Sequence, residues 1–246
     1  MPRILMILSA ATQLPLTDGS CRTTGFWPEE VIEPLKEFAA AGAHITLATP
    51  GGRPAVPDPA GFTPEGAALP PDRCDTLRRE VAALQGLLAQ PVPLHAIKGP
   101  VQDAVFIPGG YAPMADLWSD PHCGRVLEET QRAGRPIAAV CHGPAALLSC
   151  RTPAGDWPFT GYRMTSFTDQ EEKDVGLLDT LPWTAQQALT ARGADFRPGP
   201  GPWREHLVQD RGLLTGQNPA SARPLAARLL AVLTGTQGRA NAAPTI

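Results

Sequence analysis

Residues 136–150, PIAAVCHGPAALLSC, constrain the architecture of this chain more than any other stretch. Ile137, Ala138, Ala139 and Val140 form a short apolar run with no polar alternation, the pattern of a strand buried on both faces. The run ends on Cys141 and His142, turns at Gly143-Pro144, and continues into an Ala/Leu-rich segment with helical composition. A buried strand that turns at once into a helix belongs to a parallel sheet covered by helices. A thiol at that junction lies where backbone N–H groups and the helix dipole favour negative charge. Cys141 is therefore expected to ionise more readily than a free cysteine and to be a nucleophile near neutral pH.

The rest of the chain repeats the alternation. Strand-like runs at residues 3–9, 44–48, 103–107 and 137–140 are interleaved with helical spacing at 29–41, 121–133 and 143–148. Further helical signals follow at 171–177, 185–192 and 219–233, with two short strands, 206–208 and 213–215, about an Asp210-Arg211-Gly212 turn. The pattern predicts an α/β, doubly wound, mainly parallel sheet between helices. Residues 50–98 break the repeat, first with a Pro/Gly-rich excursion to residue 71 and then with helical spacing over 72–90. This insertion is expected to form a cap or part of a subunit contact. No internal repeat or linker is visible, so residues 1–235 are expected to form a single domain, with 236–246 a flexible tail.

Composition removes several classes of function. The 21 basic and 24 acidic residues give a net charge of −3, and no basic stripe is present, which argues against nucleic acid and anionic membranes as partners. No apolar run approaches the roughly 20 residues that span a bilayer. The first ten residues lack a signal-peptide core and read as a buried strand. The five cysteines, at 21, 74, 123, 141 and 150, form no CxxC pair and no metal-ligand spacing. They suggest free thiols in a reducing compartment, and a cytoplasmic protein without metal or cofactor.

In an open parallel sheet, ligands gather at the carboxyl ends of the strands. Four features fall there: Cys141-His142, Pro108-Gly109-Gly110-Tyr111, the segment TGFWPEE (24–30), and FTDQEE (167–172). Each has an ordinary structural alternative. A buried cysteine is usually packing, paired glutamates complement helix dipoles, and two glycines serve any tight turn. Neighbours on a regular helix point apart, so His142 is expected to turn away from the sulfur. Glycine N–H groups at 109 and 110 are candidate oxyanion donors.

Together these motifs, with VCHGPAALL, FIPGG and LLTGQNPASA in the same order, resemble the ThiJ/PfpI superfamily of class I glutamine amidotransferase-like proteins. The likeness runs from about residue 3 to about residue 233 and is strongest to the heat-shock chaperone and glyoxalase III branch. It implies a flavodoxin-like fold with Cys141 as nucleophile at the strand-to-helix elbow and His142 as the histidine that follows it. By the same resemblance Glu30 is the buried glutamate bonded to the sulfur, and Glu172 orients the histidine, with Glu171 the near alternative. Gly110 and the His142 backbone are the implied oxyanion donors; beside them Gly109 and Tyr111 are expected to bind substrate, Tyr111 by donating a hydrogen bond to a substrate oxygen. This chain departs from the branch where Gly109-Gly110-Tyr111-Ala112 replaces GGHG, which exchanges a near-neutral proton carrier for a phenol.

The activity implied is cofactor-independent conversion of small 2-oxoaldehydes such as methylglyoxal, or deglycation of glycated substrates, in a homodimer that protects against stress. A Cys-His-Glu amidase or peptidase, and a redox-sensing or chaperone protein with little catalysis, are the alternatives.

Overall fold

The computed structural model describes residues 1–99 and 102–235. Its eleven strands are β1 (Arg3–Ile7), β2 (Gln13–Pro15), β3 (Cys21–Thr23), β4 (His44–Thr49), β5 (Val92–Pro93), β6 (Ala104–Ile107), β7 (Ile137–Val140), β8 (Arg163–Met164), β9 (Asp195–Phe196), β10 (Leu207–Asp210) and β11 (Leu213–Gly216). Its helices are α1 (Pro28–Ala40), α2 (Pro64–Ala67), α3 (Pro71–Ala83), α4 (Gln85–Ala89), α5 (Pro121–Arg132), α6 (Asp169–Asp174), α7 (Ala185–Ala191) and α8 (Ala222–Leu233).

Seven strands form the central sheet in the order β10-β11-β7-β6-β1-β4-β5. All neighbours are parallel except β10 and β11, the hairpin about residues 210–212. Side chains alternate across a strand, and β1 shows the consequence. Ile4 and Met6 join the apolar cluster under α1 and α8, while Leu5 and Ile7 join the cluster under α5. Both clusters are buried, so β1 can be apolar at every position from Ile4 to Ile7. Phe38 of α1 meets Phe106 of β6 edge-on, with ring centroids 5.5 Å apart.

The alternation read from the sequence is thus the observed doubly wound fold. Three details differ. The helical spacing at 72–90 is divided into α3 and α4, because Leu84 leaves helical geometry (φ −93°, ψ 2°). The hairpin β2–β3 is absent from the sequence pattern; two three-residue strands, one ending in a proline, carry too little alternation to read. The segment after Cys141 is a 3-10 helix, Gly143–Ser149, in place of an α-helix. The tail expected at 236–246 lies outside the described residues.

The insertion does more than decorate the fold. Val92–Pro93 adds the edge strand β5, and α3 packs on α1. Its earlier part pairs with the site segment: Pro57 bridges Phe26, and Phe26 N–H donates to Val56 at 3.0 Å. This brings Ala60, Glu65 and Gly66 to the cavity described next.

Candidate active site

β7 delivers Cys141 to the carboxyl edge of the sheet in a left-handed conformation, φ 59°. A non-glycine residue there is strained, and the surroundings hold it in place. Cys141 N–H donates to Gly216 O, and Cys141 O accepts from Phe167 N–H, each at 2.9 Å. The turn is tight enough that a Cβ on Gly109 would lie 2.9 Å from that of Cys141 and 2.7 Å from His142 N.

This geometry corrects the expectation for His142. The left-handed turn and the 3-10 helix break the helical rule that adjacent side chains diverge. His142 Nδ1 lies 3.3 Å from Cys141 Sγ, and Nε2 lies 2.7 Å from Glu172 Oε1. The other Glu172 oxygen accepts the Tyr111 hydroxyl at 2.6 Å. A carboxylate can only accept, so Glu172 holds the imidazole proton on Nε2 and leaves the Nδ1 lone pair facing sulfur. Burial, and next the Glu172 carboxyl, push Tyr111 far above the phenol range, which keeps its hydroxyl a donor.

Glu171 has a different place. One oxygen caps α6 by accepting from Thr168 N–H and Oγ1–H, at 2.9 and 2.8 Å. The other accepts from Trp203 N–H, Gln217 Nε2 and Asn218 Nδ2, at 2.9, 3.1 and 2.8 Å. Of the two glutamates, Glu172 alone reaches the histidine. The pair differ because successive residues at a helix start point in different directions.

Glu30, in the first turn of α1, is fully buried. Gly109 N–H donates to its Oε2 at 2.7 Å. Oε1 has no conventional partner among the described residues, and the Cys141 thiol beside the carboxyl is the group left to share a proton with it. Burial raises Glu30 to about 8, against the pull of the Gly109 N–H. At neutral pH it is therefore a carboxylic acid that can give or take a proton. Burial and the Glu30 carboxyl also hold the resting Cys141 thiol above the ordinary cysteine range, while the Gly110 N–H pulls the other way. This corrects the expectation of a readily ionised thiol. The 3-10 helix offers little dipole, and desolvation outweighs it, so the sulfur depends on its neighbours to take the proton.

The remaining expected residues are accounted for. Gly110, φ 81°, packs against Gly25 O, where a side chain would collide. The Gly109 N–H is committed to Glu30 and the Tyr111 hydroxyl to Glu172, which leaves Gly110 N–H pointing at the sulfur. Two residues carried no sequence signal. Arg22, on β3, holds its guanidinium carbon 4.9 Å from the Tyr111 ring centre, and Trp203, in the loop before β10, meets Phe167 at 5.4 Å. Between them run tilted ring contacts, Tyr111–His142 at 4.2 Å and His142–Phe167 at 4.7 Å. All five side chains line a cavity of about 370 Å³ that reaches Cys141. Among the described residues no group of three or more His, Cys, Asp or Glu is placed to hold a metal ion.

Fold and site together define a doubly wound α/β protein with a buried cysteine on a strained strand-end turn, faced by an imidazole and a carboxyl. The chain belongs to the DJ-1/PfpI family, whose model matches residues 21–231. It is similar to the protein/nucleic acid deglycase HchA of Staphylococcus aureus (strain bovine RF122 / ET3-1), 30% identical over 234 residues, covering 91% of this chain and 77% of the relative. Two solved structures share the fold. The Rapid Encystment Protein 24 KDa of Francisella tularensis superposes with a TM-score of 0.82 at 23% identity, over 95% of this chain and 99% of that one. Glyoxalase III of Candida albicans does so with a TM-score of 0.79 at 24% identity, over 94% and 96%.

Proposed function

We propose that residues 1–235 act as one cysteine enzyme that converts small 2-oxoaldehydes such as methylglyoxal to hydroxyacids without a cofactor, protecting the cell from these reactive carbonyls. The observation that carries this reading is the placement of one sulfur between a proton acceptor, His142 Nδ1 at 3.3 Å, and a buried carboxylic acid, Glu30, raised to about 8.

The chemistry follows from those two neighbours. Cys141 sulfur adds to the aldehyde carbon as His142 takes the thiol proton, and the aldehyde oxygen is protonated to give a hemithioacetal. Glu30 supplies the proton taken by the aldehyde oxygen, and the carboxylate so formed removes the remaining hydrogen of that carbon as a proton and returns it to the adjacent carbon through an enediol. The product is a thioester of the hydroxyacid. Water then adds, the S–C bond breaks, and the thiol recovers its proton. The net change is methylglyoxal plus water to lactate. Gly110 N–H is suited to hold the negative charge on the sulfur or on the tetrahedral oxygen. The test is formation of lactate from methylglyoxal in the absence of glutathione.

A second reading is deglycation, and the 30% identity to a protein/nucleic acid deglycase favours it. Here the same sulfur would displace the amine from a glycated carbon: a C–S bond forms, the C–N bond breaks, and the amine leaves with a proton. Release of free amine from a methylglyoxal-treated amino acid tests it. The proposal also includes a cytoplasmic setting and a homodimer; light scattering on the purified chain tests the latter.

A further inference from the structure

The cavity is several times larger than a three-carbon dicarbonyl needs, and its lining is chemically uneven. Phe167, Val175, Leu177 and Trp203 give one part an apolar wall. Arg22 is the one arginine or lysine among the lining residues.

The state of Arg22 is unusual. Its guanidinium makes no hydrogen bond among the described residues, and its Nε is buried without a partner. Its one charge contact is Asp58 Oδ2, at 3.9 Å, beyond hydrogen-bond length. Asp58 is already occupied: Oδ2 accepts from Thr24 Oγ1 at 3.1 Å and Oδ1 from Ala60 N–H at 2.9 Å. Arg22 is steadied instead by the Tyr111 ring, which holds the cation through its π face. A guanidinium offers five donors in a planar fork, and this partly buried one spends none of them on a hydrogen bond to the described residues.

The carboxylates that line the same cavity do not fill that role. Asp174 accepts from Gln170 Nε2 at 2.8 Å and Trp203 Nε1 at 3.0 Å. Glu65 is exposed, in the first turn of α2. Arg22 thus presents positive charge to a cavity that also holds the Cys141 sulfur, and Tyr111 and His142 connect the two.

We propose that Arg22 is an anion subsite and that the enzyme prefers aldehydes carrying a carboxylate a few bonds from the reacting carbonyl. This deepens the proposed aldehyde chemistry and rests on Cys141 as nucleophile for its substrate class, though the subsite itself does not. The carboxylate would meet the guanidinium in a bidentate pair, beside the face of Tyr111.

Two measurements test it, on wild type, Arg22→Met and the charge-conserving Arg22→Lys. The first compares kcat/KM for 4,5-dioxopentanoate with that for its uncharged methyl ester. Wild type should favour the acid, Arg22→Met should lower that ratio about tenfold, and Arg22→Lys should restore part of it. The second needs no turnover: it compares alkylation of Cys141 by iodoacetate and by iodoacetamide, read on the Cys141 peptide by mass spectrometry. The iodoacetate-to-iodoacetamide rate ratio should fall severalfold in Arg22→Met and recover in Arg22→Lys. Ratios that Arg22→Met leaves unchanged in either measurement overturn the subsite. If wild type turns over neither aldehyde but the alkylation ratio still depends on Arg22, the aldehyde chemistry fails and the subsite stands.

Discussion

Tyr111 donates its hydroxyl to Glu172 over 2.6 Å, on the carboxylate oxygen that does not meet His142. The phenol therefore bonds on the far side of the imidazole from the sulfur, and in the proposed chemistry it would be a positioning residue. Tyr111→Phe keeps the ring contact with His142 and leaves a buried carboxylate oxygen one donor short. Loss of such a donor costs about 1–3 kcal/mol. We expect kcat to fall about tenfold with KM little changed, and the melting temperature to drop by a few degrees. An unchanged kcat in a folded Tyr111→Phe would separate Tyr111 from the site.

Glu171 and Glu172 should respond in opposite ways. Glu172→Gln removes the negative charge and one of the two acceptor oxygens that fix the imidazole and steady its protonated form, so activity should fall about a hundredfold with less loss of stability than in Glu171→Ala. Glu171→Ala removes the acceptor of five hydrogen bonds, two that cap α6 at Thr168 and three that tie it to Trp203, Gln217 and Asn218. It should cost about 3 kcal/mol or more in a denaturant titration. Equal loss of stability in both variants would contradict the division of roles.

Glu30 gives stability a pH dependence of definite sign. Its carboxyl is raised from 4.5 to about 8 by burial, so between these values the folded protein keeps a proton that the unfolded chain has released. The stabilisation from that proton is full below pH 4.5 and is lost as pH rises through about 8. Its slope is at most about 1.4 kcal/mol per pH unit. Glu30→Gln cannot ionise, and its stability should be flatter across that window than that of wild type. Parallel stability curves for the two proteins would contradict a buried, protonated Glu30.

Gly109 is a steric requirement. A Cβ there would lie 2.9 Å from both Cys141 Cβ and Glu30 Oε2. Gly109→Ala should therefore separate the sulfur from its carboxyl and lower kcat/KM about a hundredfold or more, while a circular dichroism spectrum stays native. Near-normal activity would show that the contact can relax.

The sequence made the sheet and the position of Cys141 legible because both are written in local pattern: apolar runs at strand length, with glycine turns after those that end at Ile107 and Val140. The direction of His142 was not legible. It depends on a left-handed φ at Cys141, which hydrophobic spacing does not encode. Nor could spacing choose between Glu171 and Glu172, since the choice is made where α6 meets the Trp203 loop, 32 residues away from Glu171. A dipole argument places the thiol's proton affinity too low, because burial is a tertiary property and here outweighs it. Arg22 and Trp203 belong to no motif; they reach the cavity through a hairpin and a loop that carry no periodic signal.

Every step of the proposed chemistry passes through the Cys141 sulfur. This is tested most directly by following methylglyoxal loss and lactate formation, without glutathione, in wild type and in Cys141→Ala of matched melting temperature. Wild type should form one lactate per methylglyoxal consumed, at a rate at least about a thousandfold above that of Cys141→Ala. Equal rates in the two proteins, or no lactate from wild type, would contradict it.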